Sequence, residues 1–144
     1  MIRKINITDY PTLIKIWESA VSNTHDFLKE EDFNYYKEHI PSYFEHVKLF
    51  GYDDNGTLIG FMGISGENLE MLFIHHNARG KGIGKKLVTH GIDHFKICKV
   101  DVNEQNLQAV GFYTHIGFQI LNRSEIDGQG KAYPILHMGL KSCF

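Results

Sequence analysis

Residues 72–86 have the sequence LFIHHNARGKGIGKK, and this stretch decides the fold prediction. An apolar, strand-like run leads into three glycines at alternate positions and then into the start of a helical pattern. The glycines are Gly80, Gly82 and Gly84, and the cations around them are Arg79, Lys81, Lys85 and Lys86. Backbone N–H groups at a helix N-terminus can converge on an anion, and glycine lets a phosphate approach the main chain. The sequence therefore predicts a strand–loop–helix unit that binds an anion.

Two well-known phosphate motifs do not fit this stretch. A Walker loop needs a glycine where Arg79 stands and a serine or threonine where Lys86 stands. A dinucleotide fingerprint needs a third glycine at the position of Leu87. The remaining alternative is a helix start whose glycines only permit tight packing and whose lysines are solvated.

Composition narrows the class of protein. A chain of 144 residues with 42% hydrophobic residues is long enough for one domain, residues 1–144, with a core of its own. Fifteen Lys and Arg against seventeen Asp and Glu give a net charge of −2, which argues against nucleic-acid or membrane-surface partners. The first residues lack the apolar run that is typical of a signal peptide, and the sequence has no apolar run of membrane-spanning length, so we expect a soluble, intracellular protein. Two cysteines, Cys98 and Cys143, predict reduced thiols and a cytoplasmic location.

The rest of the chain alternates between helical and strand-like patterns. Apolar residues recur at helical spacing from Leu13 to Val21, and a second helix passes through Tyr36 until Pro41 is expected to break or kink it. Apolar runs at 47–52 and 58–65 flank a turn and predict a hairpin. Further strands are predicted at 69–74, 97–102, 118–124 and 133–140, and further helices at 84–95 and 106–116. The resulting order is β α α β β β α β α β β, a mixed α/β fold.

A second segment supports a ligand site. Residues 103–118, NEQNLQAVGFYTHIGF, leave a strand, form a helix and stop at a glycine. Asn106 and Tyr113 are seven positions apart, which places them on one face of the predicted helix.

Together the two segments resemble the signatures of the GNAT superfamily of N-acetyltransferases. The first has the form Arg79-x-x-Gly82-x-Gly84, and the second runs from Asn106 through Ala109 and Tyr113 to Gly117-Phe118. The order of elements is similar as well, so the resemblance covers essentially the whole chain. Within the superfamily, the segments 24–28, 102–106 and 130–134 resemble the bacterial YjaB-type branch.

This resemblance implies a fold, an activity and a set of site residues. The fold would be a single GNAT domain with a twisted, mostly antiparallel sheet of about seven strands flanked by four helices. Acetyl-CoA would be the co-substrate, without a metal, and the acetyl group would pass directly to a primary amine of a small molecule or of a protein lysine or N-terminus. The chain would be a monomer or a homodimer. The pyrophosphate would be bound by Arg79, Gly80, Lys81, Gly82, Ile83, Gly84 and Lys85, and the pantetheine arm by Leu72, Phe73, Ile74 and Asn106.

The resemblance also assigns catalytic roles. Tyr113 would be the general acid that protonates the departing thiolate. A protonated amine must lose its proton before it can attack, so a base is needed as well. Glu70 is the first candidate, and Glu104 and Asp26 are alternatives. His25 stands where the family shapes its acceptor site, and its neutral imidazole is a further candidate to accept the proton. A rival hypothesis is a catalytically silent CoA-binding module, against which the retained Tyr113 argues.

Overall fold

The computed structural model describes residues 1–24 and 26–143 and contains seven strands and four α-helices within them. The strands are β1 (Ile2–Lys4), β2 (Lys48–Asp54), β3 (Thr57–Ser65), β4 (Asn68–Ile74), β5 (Lys99–Asn103), β6 (Gln119–Ser124) and β7 (Ile135–Gly139). The helices are α1 (Tyr10–Thr24), α2 (Glu30–Phe44), α3 (Ile83–Phe95) and α4 (Leu107–Ile116). The predicted order of strands and helices is confirmed.

The strands form one sheet in the order β1-β2-β3-β4-β5-β7-β6. Neighbouring strands are antiparallel except for β4 and β5, which run parallel. That parallel pairing extends over only two positions, Asn68 with Lys99 and Leu69 with Val100. Beyond it the two strands diverge, and the divergence opens the middle of the sheet.

Helices cover the sheet on both faces. On β3, the adjacent residues Phe61 and Met62 are both fully buried because successive side chains of a strand point to opposite faces. Phe61 packs in the layer that holds Leu13 and Ile16 of α1, whereas Met62 packs in the layer that holds Leu87 of α3. The fold is therefore a three-layer α/β structure with a separate apolar core on each side of the sheet.

Helix α2 does not end at Pro41 as the sequence suggested, because it continues to Phe44. Proline removes one backbone hydrogen bond and costs about 3 kcal/mol in a helix interior. Ile40 and Phe44 on either side of it are almost completely buried in the core shared with α1. Tertiary packing of this apolar face maintains the helix past the proline.

The prediction of reduced thiols is wrong for this structure, in which Cys98 and Cys143 form a disulfide. Cys98 precedes β5, and Cys143 lies in a short 3-10 helix at residues 141–143. The main-chain N–H of Leu140 donates to the carbonyl of Cys98 over 2.8 Å, and this contact brings the two segments together. Within the described ranges, every helix is too short or too polar to cross a membrane.

Candidate active site

A cavity of about 450 Å³ occupies the gap between β4 and β5. One wall is the end of β4, with Leu72, Phe73 and Ile74. The opposite wall is formed by β5 and α4, which contribute Asn103 and Tyr113. The floor carries the glycine-rich loop and the start of α3. We call this space the donor cavity, and it brings together both of the segments that the sequence singled out.

The N-terminus of α3 opens into the donor cavity without a side-chain cap. Gly82 is the N-cap, with φ of 75°, and Gly80 has φ of 80°, so both occupy the left-handed region that favours glycine. A Cβ atom at either position would meet nothing within 4 Å. The first amides of a helix have no partner inside it, and the first turn of α3 contains no acid. These amides and the open space above them suit a phosphate.

Gly84 serves a different purpose from its two neighbours. A Cβ atom there would lie 3.4 Å from the Phe112 ring of α4. Gly84 thus lies in van der Waals range of α4 beside the donor cavity. Gly80 and Gly82 are favoured by backbone conformation, whereas Gly84, which has no positive φ, is the glycine to which the packing alternative can apply.

Asn106 and Tyr113 both line the donor cavity. Tyr113 lies within α4, whereas Asn106 is the N-cap that precedes this helix. Its Oδ1 accepts a hydrogen bond from the Ala109 N–H over 3.2 Å. Tyr113 is buried, with 7% of its surface exposed. Burial raises the pKa of the Tyr113 phenol, so the hydroxyl stays protonated over the physiological range.

A second cavity, of about 250 Å³, adjoins the donor cavity on the α1 and α2 side of the sheet. Its walls are mostly aromatic and aliphatic, and two carboxylates, Glu70 and Asp127, face it. Four residues line both cavities: Glu70, Met71, Phe73 and Asn103. We call the second space the acceptor cavity, because it meets the donor cavity at a carboxylate.

The wall of the acceptor cavity comes partly from the β6–β7 loop, residues 125–134, which is fastened onto α2. The Tyr36 hydroxyl donates a hydrogen bond to Asp127, and the Tyr133 hydroxyl donates one to Asp32. Lys131 forms an ion pair with Asp32 at 3.1 Å. Sequence analysis missed these partners, since the residues that meet are about 90 to 100 positions apart and no local motif marks them.

The same contacts shift the ionisation of the groups involved. Burial raises the pKa of Tyr36, and its hydrogen bond to Asp127 raises it further, so this phenol stays neutral and donates. The Tyr133 hydroxyl and Lys131 lower the pKa of Asp32. The loop is thus held to α2 by charge-assisted hydrogen bonds, which are stronger than neutral ones.

Of the candidate bases, Glu70 lies at the junction of the two cavities. Partial desolvation raises the pKa of its carboxyl, and the negative charge of Asp101 raises it further. Glu104 is instead engaged by Arg123 at 2.7 Å, which lowers its pKa. Neither Glu104 nor Asp26 is among the described residues that line the two cavities. His25 lies outside the described residues.

A donor cavity with an anion-binding helix N-terminus, joined at a carboxylate to an acceptor cavity, is an arrangement for group transfer. The chain belongs to the GNAT family of acetyltransferases, since the model of the acetyltransferase (GNAT) domain matches residues 15–138. The protein is an N-acetyltransferase, as the named relatives below also are.

Among relatives, the chain is 39% identical over 138 residues to the peptidyl-lysine N-acetyltransferase YjaB of Salmonella typhimurium, covering 95% of each chain. The solution structure of apo-form YjaB from Escherichia coli superposes with a TM-score of 0.91 at 36% identity, covering 98% of this chain and 97% of that one. The structure of yncA from Salmonella typhimurium with its cofactor acetyl-CoA has a TM-score of 0.71 at 17% identity, covering 97% and 92% of the two chains. The last of these similarities concerns the fold alone.

Proposed function

We propose that the protein transfers an acetyl group from acetyl-CoA, bound in the donor cavity, to the ε-amino group of a peptide lysine that enters through the acceptor cavity. The observation that carries this proposal is the meeting of the two cavities at Glu70. The pyrophosphate binds to Arg79 and the amides of residues 80–85, and the pantetheine arm lies along residues 72–74 and contacts Asn106.

The chemistry needs one base and one acid. A lysine ammonium with an ordinary pKa of about 10.4 gives a proton to the Glu70 carboxylate, which is better suited to accept it because its pKa is raised. The neutral nitrogen attacks the thioester carbonyl, and a main-chain N–H at the end of β4 stabilises the oxyanion. When the C–S bond breaks, its electron pair leaves with sulfur and the Tyr113 hydroxyl donates a proton to the CoA thiolate. The nitrogen gives its second proton back to the Tyr113 oxygen, Glu70 releases its proton to solvent, and the neutral amide product leaves.

Two features support a lysine acceptor over other amines. The acceptor cavity has apolar walls that suit a four-carbon stem, while Glu70 and Asp127 favour a positive head group. Of the acidic groups expected from the sequence, Glu70 lines this cavity, and Asp127, which the sequence did not indicate, lines it as well. Asp26 and Glu104 are not among its described lining residues. The YjaB protein of Salmonella typhimurium is named a peptidyl-lysine N-acetyltransferase, which agrees with the same acceptor class.

An acetyl-CoA turnover assay against a panel of lysine peptides, peptides with a free N-terminus only and small primary amines tests the proposal. Mass spectrometry identifies the acetylated nitrogen. We expect lysine peptides to turn over and their Nα-only counterparts to be much poorer substrates. Turnover of small amines alone would reject the peptide acceptor, and acetyl-CoA binding without turnover of any amine would favour the catalytically silent module.

Residues 1–144 act in this proposal as a single catalytic domain without a metal, as a monomer or homodimer. The cytoplasmic location inferred from the sequence stays a prediction. The disulfide between Cys98 and Cys143 removes one of its premises, which was that both thiols are reduced.

A further inference from the structure

Three polar side chains form a hydrogen-bonded row across β5, β7 and β6. The Oδ1 atom of Asp101 lies 2.6 Å from Nδ1 of His137, and Nε2 of His137 lies 2.6 Å from Oγ of Ser124. The pairing of Asp101 with His137 follows directly from the strand register. The mechanism proposed above uses none of these three residues.

The row lies on the same face of the sheet as α1 and α2, which cover that face near β3. Asp101 stands between Val100 and Val102, and His137 between Leu136 and Met138, and these four neighbours are buried in the core on the α3 side. Because side chains alternate along a strand, Asp101 and His137 point to the opposite face. Their side chains are 67% and 32% exposed, respectively.

The row ends beside the general base of the proposed mechanism. In the parallel register, Leu69 pairs with Val100, and Glu70 and Asp101 are the next residues along β4 and β5, where the two strands begin to diverge. The β3–β4 register skips Glu70 at a β-bulge, and Glu70 lines the acceptor cavity on the α1 and α2 side, which is the face of Asp101. Asp101 also lines the donor cavity. Two carboxylates on adjacent strands repel each other, and this repulsion favours the protonated form of Glu70.

Serine, histidine and aspartate in this order also form the nucleophile, base and orienting acid of serine hydrolases. Here Ser124 lies two strands away from β5 and lines neither the donor nor the acceptor cavity. Asp101 is the member of the row that faces a cavity. The row is therefore suited to act through Asp101 and not through a serine nucleophile.

We propose that Asp101 and His137 are positioning residues that set how readily Glu70 takes a proton: Asp101 supplies a negative charge beside Glu70, and the His137 ring neutralises that charge when it is protonated. This inference rests on the proposed role of Glu70 as general base. A histidine ring can be neutral or positively charged near neutral pH, so a ring hydrogen-bonded to Asp101 can compensate its charge in one form and not in the other. The row thus couples the base to the acidity of the solution.

Other ionisable groups near Glu70 lie on different elements. Tyr43, near the end of α2, and His46, just after that helix, share a cavity with Glu70. Asp127, Tyr36 and Tyr133 line the acceptor cavity with it. Lys99, two residues before Asp101 on β5, forms an ion pair with Glu67 at 3.1 Å. Of these groups, Asp101 is the charge that contributes to the raised pKa of Glu70.

The pH profile of kcat/KM for the acceptor tests the inference, because its acidic limb reports the ionisation of the base in the free enzyme. Asp101→Asn removes the repelling charge, so the limb should move to lower pH by about half a unit. His137→Gln cannot become a cation, so Asp101 stays uncompensated and the limb should move to higher pH. In the double variant the His137 effect should vanish, since it acts only through Asp101.

Asp93→Asn is the matched control. It removes the same charge from an exposed position on α3, in the layer on the other side of the sheet. We expect the acidic limb of the kcat/KM pH profile of Asp93→Asn to coincide with that of the wild type. A limb that stays in place in both test variants, or that moves the same way in both, would overturn the inference, as would additive shifts in the double variant.

A second measurement separates this inference from the proposed function. Carbon-13 NMR titration of the Glu70 side-chain carboxyl follows its ionisation without any turnover. A downward shift of its midpoint in Asp101→Asn supports the electrostatic coupling, and an unchanged midpoint rejects it. If Glu70→Gln keeps full transfer activity while the NMR midpoint still responds to Asp101, the assignment of the base is wrong and the coupling stands.

Discussion

At the residue scale, the glycines of the loop and Tyr113 illustrate what sequence can and cannot predict. Spacing predicted correctly that the loop precedes a helix and that Tyr113 lies on α4. It did not separate Gly80 and Gly82, which have positive φ angles, from Gly84, which lies against the Phe112 ring. That distinction depends on a contact between α3 and α4, and a contact between two helices leaves no trace in the local pattern.

Tyr113→Phe removes one oxygen and keeps the ring that packs against Phe112 and Phe118. We expect kcat to fall about 100-fold or more, because a positioned general acid contributes roughly 10² to 10⁴ in rate. The affinity for acetyl-CoA should be unchanged, as measured by calorimetry. Tyr10→Phe, which alters a ring packed on Phe44 away from both cavities, is the matched control. Turnover of Tyr113→Phe within a few-fold of the wild type would make Tyr113 a core aromatic.

Gly82→Asp places a carboxylate at the uncapped N-terminus of α3. We expect the affinity for acetyl-CoA to fall at least about tenfold, since the carboxylate occupies the phosphate position and repels it. Gly56→Asp is the control, because Gly56 also has a positive φ, of 95°, and lies in the turn between β2 and β3. Both variants carry similar backbone strain, and calorimetry should detect the loss of binding in Gly82→Asp only. Equal affinities in the two folded variants would contradict the loop assignment.

At the scale of elements, local patterns predicted α1, α3 and the β2–β3 hairpin because each carries its own periodicity or turn. They did not predict that α2 continues past Pro41, where burial of Phe44 in the core outweighs a local rule. Nor did they predict that the β6–β7 loop meets α2, since the partners Tyr36 and Asp127 are 91 positions apart. The donor side of the site was therefore largely predictable and the acceptor side was not.

Tyr36→Phe breaks the hydrogen bond that joins α2 to the β6–β7 loop at Asp127. A hydrogen bond to a charged group is worth about 1.5 to 3 kcal/mol, so the loop should loosen and the KM for the acceptor should rise several-fold. The KM for acetyl-CoA should not change, because the donor cavity contains neither residue. Steady-state kinetics with each substrate varied in turn distinguishes the two constants.

Tyr35→Phe offers a comparison at the same loop. Its hydroxyl makes a neutral, exposed hydrogen bond to Gln129 at 3.2 Å. We expect a smaller change in the KM for the acceptor than in Tyr36→Phe, because an exposed neutral bond contributes less. A larger effect of Tyr35→Phe would argue that the loop is held by other contacts.

At the scale of the whole molecule, order and topology agree with the prediction because one strand–loop–helix unit and one helix signature fix the middle of the chain. The two ends of the chain contact this middle part through interactions that no local sequence pattern predicts. The clearest case is the disulfide, which links positions separated by 45 residues. Two cysteines without a motif spacing gave no indication that their segments would meet.

Reduction of the disulfide should lower stability without affecting acetyl-CoA binding, since neither cysteine lines the donor cavity. Loop-closure entropy over a 45-residue separation corresponds to roughly 4 kcal/mol. A reductant should therefore lower the melting temperature by on the order of 10 °C, measured by calorimetry. The Cys143→Ser variant should melt at the lower temperature, and its melting temperature should not change when the reductant is added. Two free thiols titrated in protein denatured without reductant would contradict the disulfide.

The two cavities are lined by residues from different parts of the chain. Apart from Ala20 and Thr24, every described residue that lines the donor cavity falls between Leu69 and Tyr113, whereas the acceptor cavity also uses residues 17–43 and 127–133. Mutations in the outer segments can therefore alter the acceptor specificity of the enzyme. The central stretch that lines the donor cavity can stay unchanged while they do so. Descendants of such a gene can diversify in what they modify and still inherit one way of carrying the acetyl group.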